Sequence, residues 1–222
     1  MDSPNQWPLR MRILREIDRL LFRLLSRLEV RGGEKIPTSG PFLFVSNHLH
    51  VLDPPIGFLL LDRPITFLVA STWESTFGLG HFLRWTESAI PVDRGGADRK
   101  AMGAAVKVLK GGGALAIAPE GTRSKTGGLQ QGHPGVAYLA SRTGVPIVPV
   151  GISGQEKAFA TLRRLRRPRI IVEVGEPFVL PGSPNRAKGE QLEAYTDQIM
   201  YRIAELLPPQ YRGVYALPEA DE

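Results

Sequence analysis

The sequence predicts an α/β fold: a single domain with a mainly parallel or mixed sheet flanked by helices, plus an N-terminal amphipathic helix. Three observations predict it. Short apolar runs alternate with segments of helical period along most of the chain, and that alternation implies strands joined by helical crossovers. The 222 residues are 42% hydrophobic and 23% charged, with no cysteine, which suits one domain with a sizeable core and no disulfide framework. Residues 8–30 differ from the rest, combining a leucine stripe with six arginines.

In that first segment Ile13, Leu14, Ile17, Leu20, Leu21, Leu24, Leu25 and Leu28 recur at steps of three and four, which places them on one helix face. Arg10, Arg12, Arg15, Arg19, Arg23 and Arg27 fill most of the remainder, with only Glu16 and Asp18 as acids between the first and last of them. A helix docked on a core has the same spacing. The arginine excess favours a helix lying in a membrane interface. Arg31-Gly32-Gly33 is the expected stop, since glycine commonly ends helices. Phe42–Val45 reads as a short buried strand. Asp53-Pro54 reads as a helix cap followed by proline in the first turn. Ile65–Ala70 is a second buried strand, Gly80–Trp85 a helix and Ala89–Val92 a short strand.

Asp98 is expected to cap a helix running to Lys110, ended by Gly111-Gly112-Gly113. Ala114–Ala118 is a strand, Gly135–Thr143 a helix and Val145–Val150 a strand. Ile170–Val174 alternates apolar and polar residues, as an edge strand does. Glu190–Leu207 closes the domain as an amphipathic helix. The boundaries are residues 1–31 for the interfacial helix, 32–212 for the main domain and 213–222 for an acidic, frayed tail.

Composition narrows the function. The formal net charge is +6. Residues 157–169 carry Lys157, Arg163, Arg164, Arg166, Arg167 and Arg169 with no acid, a patch suited to an anionic surface. Phe159 is its only aromatic residue, so base stacking has little to work with and no nucleic-acid partner is expected. No apolar run approaches the roughly 18–20 residues of a bilayer span. The start, Met1-Asp2-Ser3-Pro4, lacks the apolar core of a secretory signal. Without cysteine, and with four histidines, a metal site is not expected.

Four blocks carry chemistry. Ser46-Asn47-His48-Leu49-His50-Val51-Leu52-Asp53 follows a buried strand, where ligands commonly bind in α/β folds. A histidine and an aspartate five residues apart across a turn can meet, leaving one imidazole nitrogen as a base. No serine stands in a nucleophile-elbow setting, so the histidine would act on a substrate hydroxyl directly. Val92-Asp93-Arg94-Gly95-Gly96 delivers an arginine to a glycine-rich bend. Pro119-Glu120-Gly121-Thr122-Arg123-Ser124 offers flexible backbone, a hydroxyl and a guanidinium, a set suited to phosphate. Val145-Pro146-Ile147-Val148-Pro149-Val150 reads as a buried strand bent by prolines.

In this order the four blocks resemble the glycerolipid acyltransferases, the family of lysophosphatidic acid acyltransferases, over residues 30–155. The resemblance implies that His48 is the general base and Asp53 its orienter. It implies that Arg94, Glu120, Gly121, Thr122 and Arg123 hold the acceptor's glycerol phosphate. It also implies that Pro149 helps shape the site or the acyl-donor position. The implied reaction moves a fatty acyl group from acyl-CoA or acyl-carrier protein to lysophosphatidic acid, giving phosphatidic acid, with no bound cofactor or metal. The implied partners are a membrane lipid acceptor, the acyl donor and an anionic membrane surface. The implied place is the cytoplasmic face of the cell membrane, bound peripherally. His50 stands where the family often has serine, Gln130 and Gln131 where a basic residue is frequent, and Ser71-Thr72 where lysine is common. These departures leave open another lysolipid or glycolipid acceptor. A membrane adaptor without catalysis is the alternative of a different class, and an intact His48 and Asp53 argue against it.

Overall fold

The computed structural model describes residues 7–73, 89–93, 98–184 and 187–216. Seven strands form one sheet: β1 (Arg27–Arg31), β2 (Phe42–Ser46), β3 (Ile65–Ala70), β4 (Ala89–Val92), β5 (Ala114–Ile117), β6 (Ile147–Ser153) and β7 (Arg169–Val174). Their spatial order is β1-β7-β6-β2-β5-β3-β4, and every neighbouring pair is parallel except β6 and β7. Six α-helices are described: α1 (Leu9–Leu25), α2 (Asp53–Leu60), α3 (Arg99–Lys110), α4 (Gly135–Thr143), α5 (Ala158–Leu162) and α6 (Glu190–Ala204). The helix expected over Gly80–Trp85 lies outside the described residues.

Strand alternation builds the two cores. Leu43 and Val45 of β2 face one side, where they meet Leu109 of α3, Leu139 of α4 and Ile199 and Ile203 of α6. Phe42 and Phe44 face the other, with Ile56 and Phe58 of α2 and Met11 and Phe22 of α1. Both faces of β2 are buried, so the strand reads as a continuous apolar run. Asp98 caps α3 as expected, its side chain accepting from the Ala101 N–H.

The first helix differs from expectation. It ends at Leu25, and Ser26 turns to extended backbone while its N–H and hydroxyl both bond to the Phe22 carbonyl. Residues 27–31 leave the helix and form β1. Leu28 continues the three-and-four spacing of the helix by coincidence, which hides the strand in the sequence. Consequently Ile170–Val174 is no edge strand: β1 covers β7, with Arg27 opposite Arg169 and Val30 opposite Val172. At the other end of the chain, Tyr215 is buried and its hydroxyl bridges Gly132 N–H and Asp197 Oδ1, so residues 213–215 belong to the body rather than to a tail.

The docking face of α1 is also unexpected. Met11, Arg15 and Phe22 are buried, and Trp7 just before the helix donates to the Leu61 carbonyl at 3.3 Å. Arg15 pairs with Asp62 and reaches the Leu59 carbonyl. Most of the predicted stripe points the other way: Ile13, Ile17, Leu20, Leu21, Leu24 and Leu25 are each between 48% and 59% exposed, whereas Leu14 and Leu28 pack partly buried against the core.

Asp18 lies beside this docking face, and its Oδ2 is buried without a hydrogen-bond partner among the described residues. Burial pushes its carboxyl up to about 6 from an ordinary 3.8. The folded protein therefore binds this proton more tightly than the unfolded chain. The proton's contribution to stability is present below the ordinary value and is lost as pH rises through about 6. Asp18→Asn removes the buried charge. It is expected to raise the melting temperature more at about pH 7 than at about pH 4, which thermal denaturation at the two pH values checks.

Candidate active site

β2 runs straight into the His48 loop at the C-terminal edge of the sheet. Asn47 pins this loop to β6: its amide donates to the Ile152 carbonyl at 2.8 Å and accepts from the Ile152 N–H at 2.8 Å. The buried Asn47 thereby replaces a strand pairing where β2 ends, and fixes the position of His48 next to it.

His48 Nδ1 lies 2.7 Å from Asp53 Oδ2. The same oxygen accepts from the Leu49 and His50 N–H groups at 2.8 and 2.9 Å, and Oδ1 accepts from Gln155 Nε2 at 3.0 Å. The expected helix cap is thus absent: the Asp53 side chain turns back to the loop and makes no cap bond in α2. Satisfying three loop donors at once is the stronger demand on a carboxylate that is 7% exposed. Because a carboxylate can only accept, Nδ1 carries the proton and Nε2 is left with its lone pair. His48 itself is half-buried and can meet a substrate.

The third sequence block folds against the first. The Ser124 N–H donates to the His48 carbonyl at 2.8 Å. Glu120 is 1% exposed, and its two oxygens accept from the His48 N–H at 2.7 Å and the Gln130 N–H at 2.9 Å. Burial pushes its carboxyl up, and the two amide bonds hold it back. Glu120 thus lies beneath the loops and ties them together, away from any surface a substrate could reach. Gly121 has φ +64°, and a Cβ there would approach His133 Cδ2 to 3.0 Å, so the tight turn requires glycine. Thr122 is half-buried and Arg123 exposed. Both stand in the turn between Glu120 and Ser124, the two residues that bond to the His48 backbone.

Arg94 lies outside the described residues. Pro149 is buried within β6, opposite Val45, and its carbonyl accepts from the Gly175 N–H at 2.9 Å. It contributes to the sheet under the site and offers no reactive group. Gln155 was not foreseen. It is fully buried and holds the far oxygen of Asp53 from a distance of 102 residues in sequence. The sole local signal is its place one residue after Gly154, whose φ of +87° turns the chain at the exit of β6. Phe159 on α5 stands in a basic run of the sequence, yet its ring lies 4.9 Å from that of His50. Among the described residues, no three His, Asp or Glu side chains gather where a metal ion could sit.

An imidazole fixed by a carboxylate, with Nε2 left open, has the geometry of a general base. The comparisons with known proteins give the family. The acyltransferase family model matches residues 27–153, more than half of the chain, and the protein belongs to this family. It is similar to the 1-acyl-sn-glycerol-3-phosphate acyltransferase alpha of Ovis aries, at 29% identity over 80% of this chain and 61% of that protein. It is also similar to the 1-acyl-sn-glycerol-3-phosphate acyltransferase of Bacillus subtilis, at 27% identity over 81% and 90%. The chain thus spans about three-fifths of the sheep relative and most of the bacterial one. Among solved structures, the 1-acyl-sn-glycerophosphate acyltransferase PlsC of Thermotoga maritima superimposes with a TM-score of 0.68 at 22% identity, over 88% of this chain and 78% of that one. That likeness concerns the fold.

Proposed function

We propose that this protein transfers a fatty acyl group from acyl-CoA or acyl-carrier protein to the free hydroxyl of lysophosphatidic acid, giving phosphatidic acid, while bound peripherally to an anionic membrane at its cytoplasmic face. The observation that carries the chemistry is the 2.7 Å contact between His48 Nδ1 and Asp53 Oδ2. His48 Nε2 takes the proton of the acceptor hydroxyl as its oxygen attacks the thioester carbonyl. The C–S bond breaks when the tetrahedral intermediate collapses, and the leaving thiolate takes the proton from the imidazolium. Asp53 keeps the ring oriented and stabilises the imidazolium in between. Arg123, with Arg94, Gly121 and Thr122, holds the acceptor's phosphate, and Glu120 and Pro149 shape the frame around them. The reaction as written needs no metal or bound cofactor. The relatives named for 1-acyl-sn-glycerol-3-phosphate favour this acceptor over other lysolipids or glycolipids.

The membrane part rests on α1. Most of its apolar stripe is exposed and faces away from the body, while no helix among the described residues is long and apolar enough to cross a membrane. A stripe of this kind lies in the bilayer interface rather than through it.

Mass spectrometry of the products made by purified protein from a panel of lysolipids, with each acyl donor in turn, tests the reading. The expected product is phosphatidic acid. A preference for an unphosphorylated acceptor would remove the proposed acceptor. Arg123→Lys checks the phosphate contact: a guanidinium grips phosphate through two parallel bonds, which an ammonium cannot copy. Loss of one charged hydrogen bond lowers kcat/KM about 10–150-fold. The loss is expected with lysophosphatidic acid and not with monoacylglycerol. Equal losses on both acceptors would give Arg123 to the acyl donor or to the fold.

A further inference from the structure

We propose that the turn carrying Leu165 is a second membrane-insertion point, which rests on the peripheral-membrane reading above and presents the catalytic edge of the sheet to an anionic lipid surface. Leu165 is 97% exposed, the most exposed large apolar side chain among the described residues, and its φ of +55° makes it the one non-glycine residue with positive φ among them. A leucine in that region is strained, and glycine would serve the turn better. Nothing among the described residues buries the side chain. Arg163, Arg164 and Arg166 flank it, all exposed, with no acid between residues 157 and 169. An apolar tip ringed by arginines matches an anionic bilayer, where the tip enters the acyl boundary and the guanidiniums meet phosphates.

The turn's position in the fold gives it a role. Arg167 Nε donates to the Ser26 carbonyl at 3.0 Å, and its Nη2 bonds to the carbonyls of Arg23 and Ser26. The turn is thereby stapled to the C-terminal end of α1, the interfacial helix. Between them runs a groove of about 350 Å³ lined by Arg19, Arg23, Arg27 and Arg167 together with Phe22 and Leu28. Strand directions put all of this at one edge of the sheet. Ser46 pairs with Val150, Ser153 with Ile171 and Arg27 with Arg169, so the start of β1 and the end of β2 lie at the same end. On the other side of the turn, Phe159 of α5 is half-exposed and lies against His50 of the catalytic loop. One continuous rim thus runs from α1 through Leu165 to the His48 loop. Two contacts fix an orientation that one helix, free to roll in the interface, leaves open.

The chain has no cysteine, so Leu165→Cys and Lys110→Cys each carry one spin label. Lys110 ends α3 just before β5, at the opposite end of the sheet. With the full-length protein on vesicles of phosphatidylglycerol and phosphatidylcholine, the label at 165 is expected to show the oxygen accessibility of the acyl boundary. The label at 110 is expected to stay in water. Leu165→Gly keeps the backbone and is expected to lower partitioning about tenfold, the loss when one leucine no longer leaves water. Replacing Arg163, Arg164 and Arg166 with alanine is expected to lower binding to the charged vesicles about a hundredfold and to leave binding to pure phosphatidylcholine unchanged. A label at 165 that stays in water, with Leu165→Gly binding as wild type does, overturns this inference and leaves α1 as the sole anchor. Wild-type protein that binds neither vesicle overturns the membrane reading beneath it.

Discussion

His48→Ala is expected to lower acyl transfer by about 10²–10⁴-fold, the range that a positioned general base contributes, in a protein that still folds. The fold should survive because Asp53 keeps three of its four donors: the Leu49 and His50 N–H groups and Gln155. Glu120 and Asn47 continue to hold the loop through backbone groups that the substitution does not touch. Asp53→Asn should retain the ring's place but lose the charge that stabilises the imidazolium. A charge-assisted hydrogen bond is worth about 1.5–3 kcal/mol, so a fall of about 10–150-fold is expected, smaller than that of His48→Ala. Thiol release by each variant, alongside its thermal melting curve, measures both effects. Substantial turnover by folded His48→Ala would sink the assignment. His50→Ser should be tolerated, since the His50 side chain lies against Phe159 rather than Asp53. If His50→Ser is the inactive variant, the base is the other histidine.

The double substitution Ile17→Asp, Leu24→Asp is expected to release the protein from anionic vesicles, lowering the partition coefficient by about 10²–10⁴-fold. Each side chain withdrawn from a lipid interface forfeits up to the roughly 1.5–3 kcal/mol of full burial. Both residues are exposed in the protein itself, so the melting temperature in solution should hardly change. Deleting residues 8–30 is a poorer experiment than it looks from the sequence. It removes Met11 and Phe22 from the core and most of β1 from the sheet. Vesicle flotation with a parallel melting curve reads the point substitutions cleanly. A partition coefficient unchanged in the double variant would show that α1 does not anchor the protein.

Elements whose causes are local were legible in the chain. Phe42–Val45 had to be a strand because an apolar run too short for a helix lies between turn residues, and Asp98 had to start a helix because its carboxylate reaches the N–H three residues on. His48 and Asp53 could be paired in advance because five residues across one turn leave them few alternatives. The tertiary structure alone decided whatever depends on partners distant in the chain. Leu28 extends the helix stripe as readily as it alternates with Val30 in a strand, and β7, more than a hundred residues away, selects the strand. Glu120 has the chemistry of a ligand, yet two backbone amides from different loops claim both of its oxygens inside the fold. Gln155 joins the site only because β6 lies next to β2. The spacing of the leucine stripe on α1 set its width and not its direction, since periodicity defines a face without saying what it faces. That was decided by Met11, Arg15 and Phe22, which dock the opposite side and leave most of the stripe exposed.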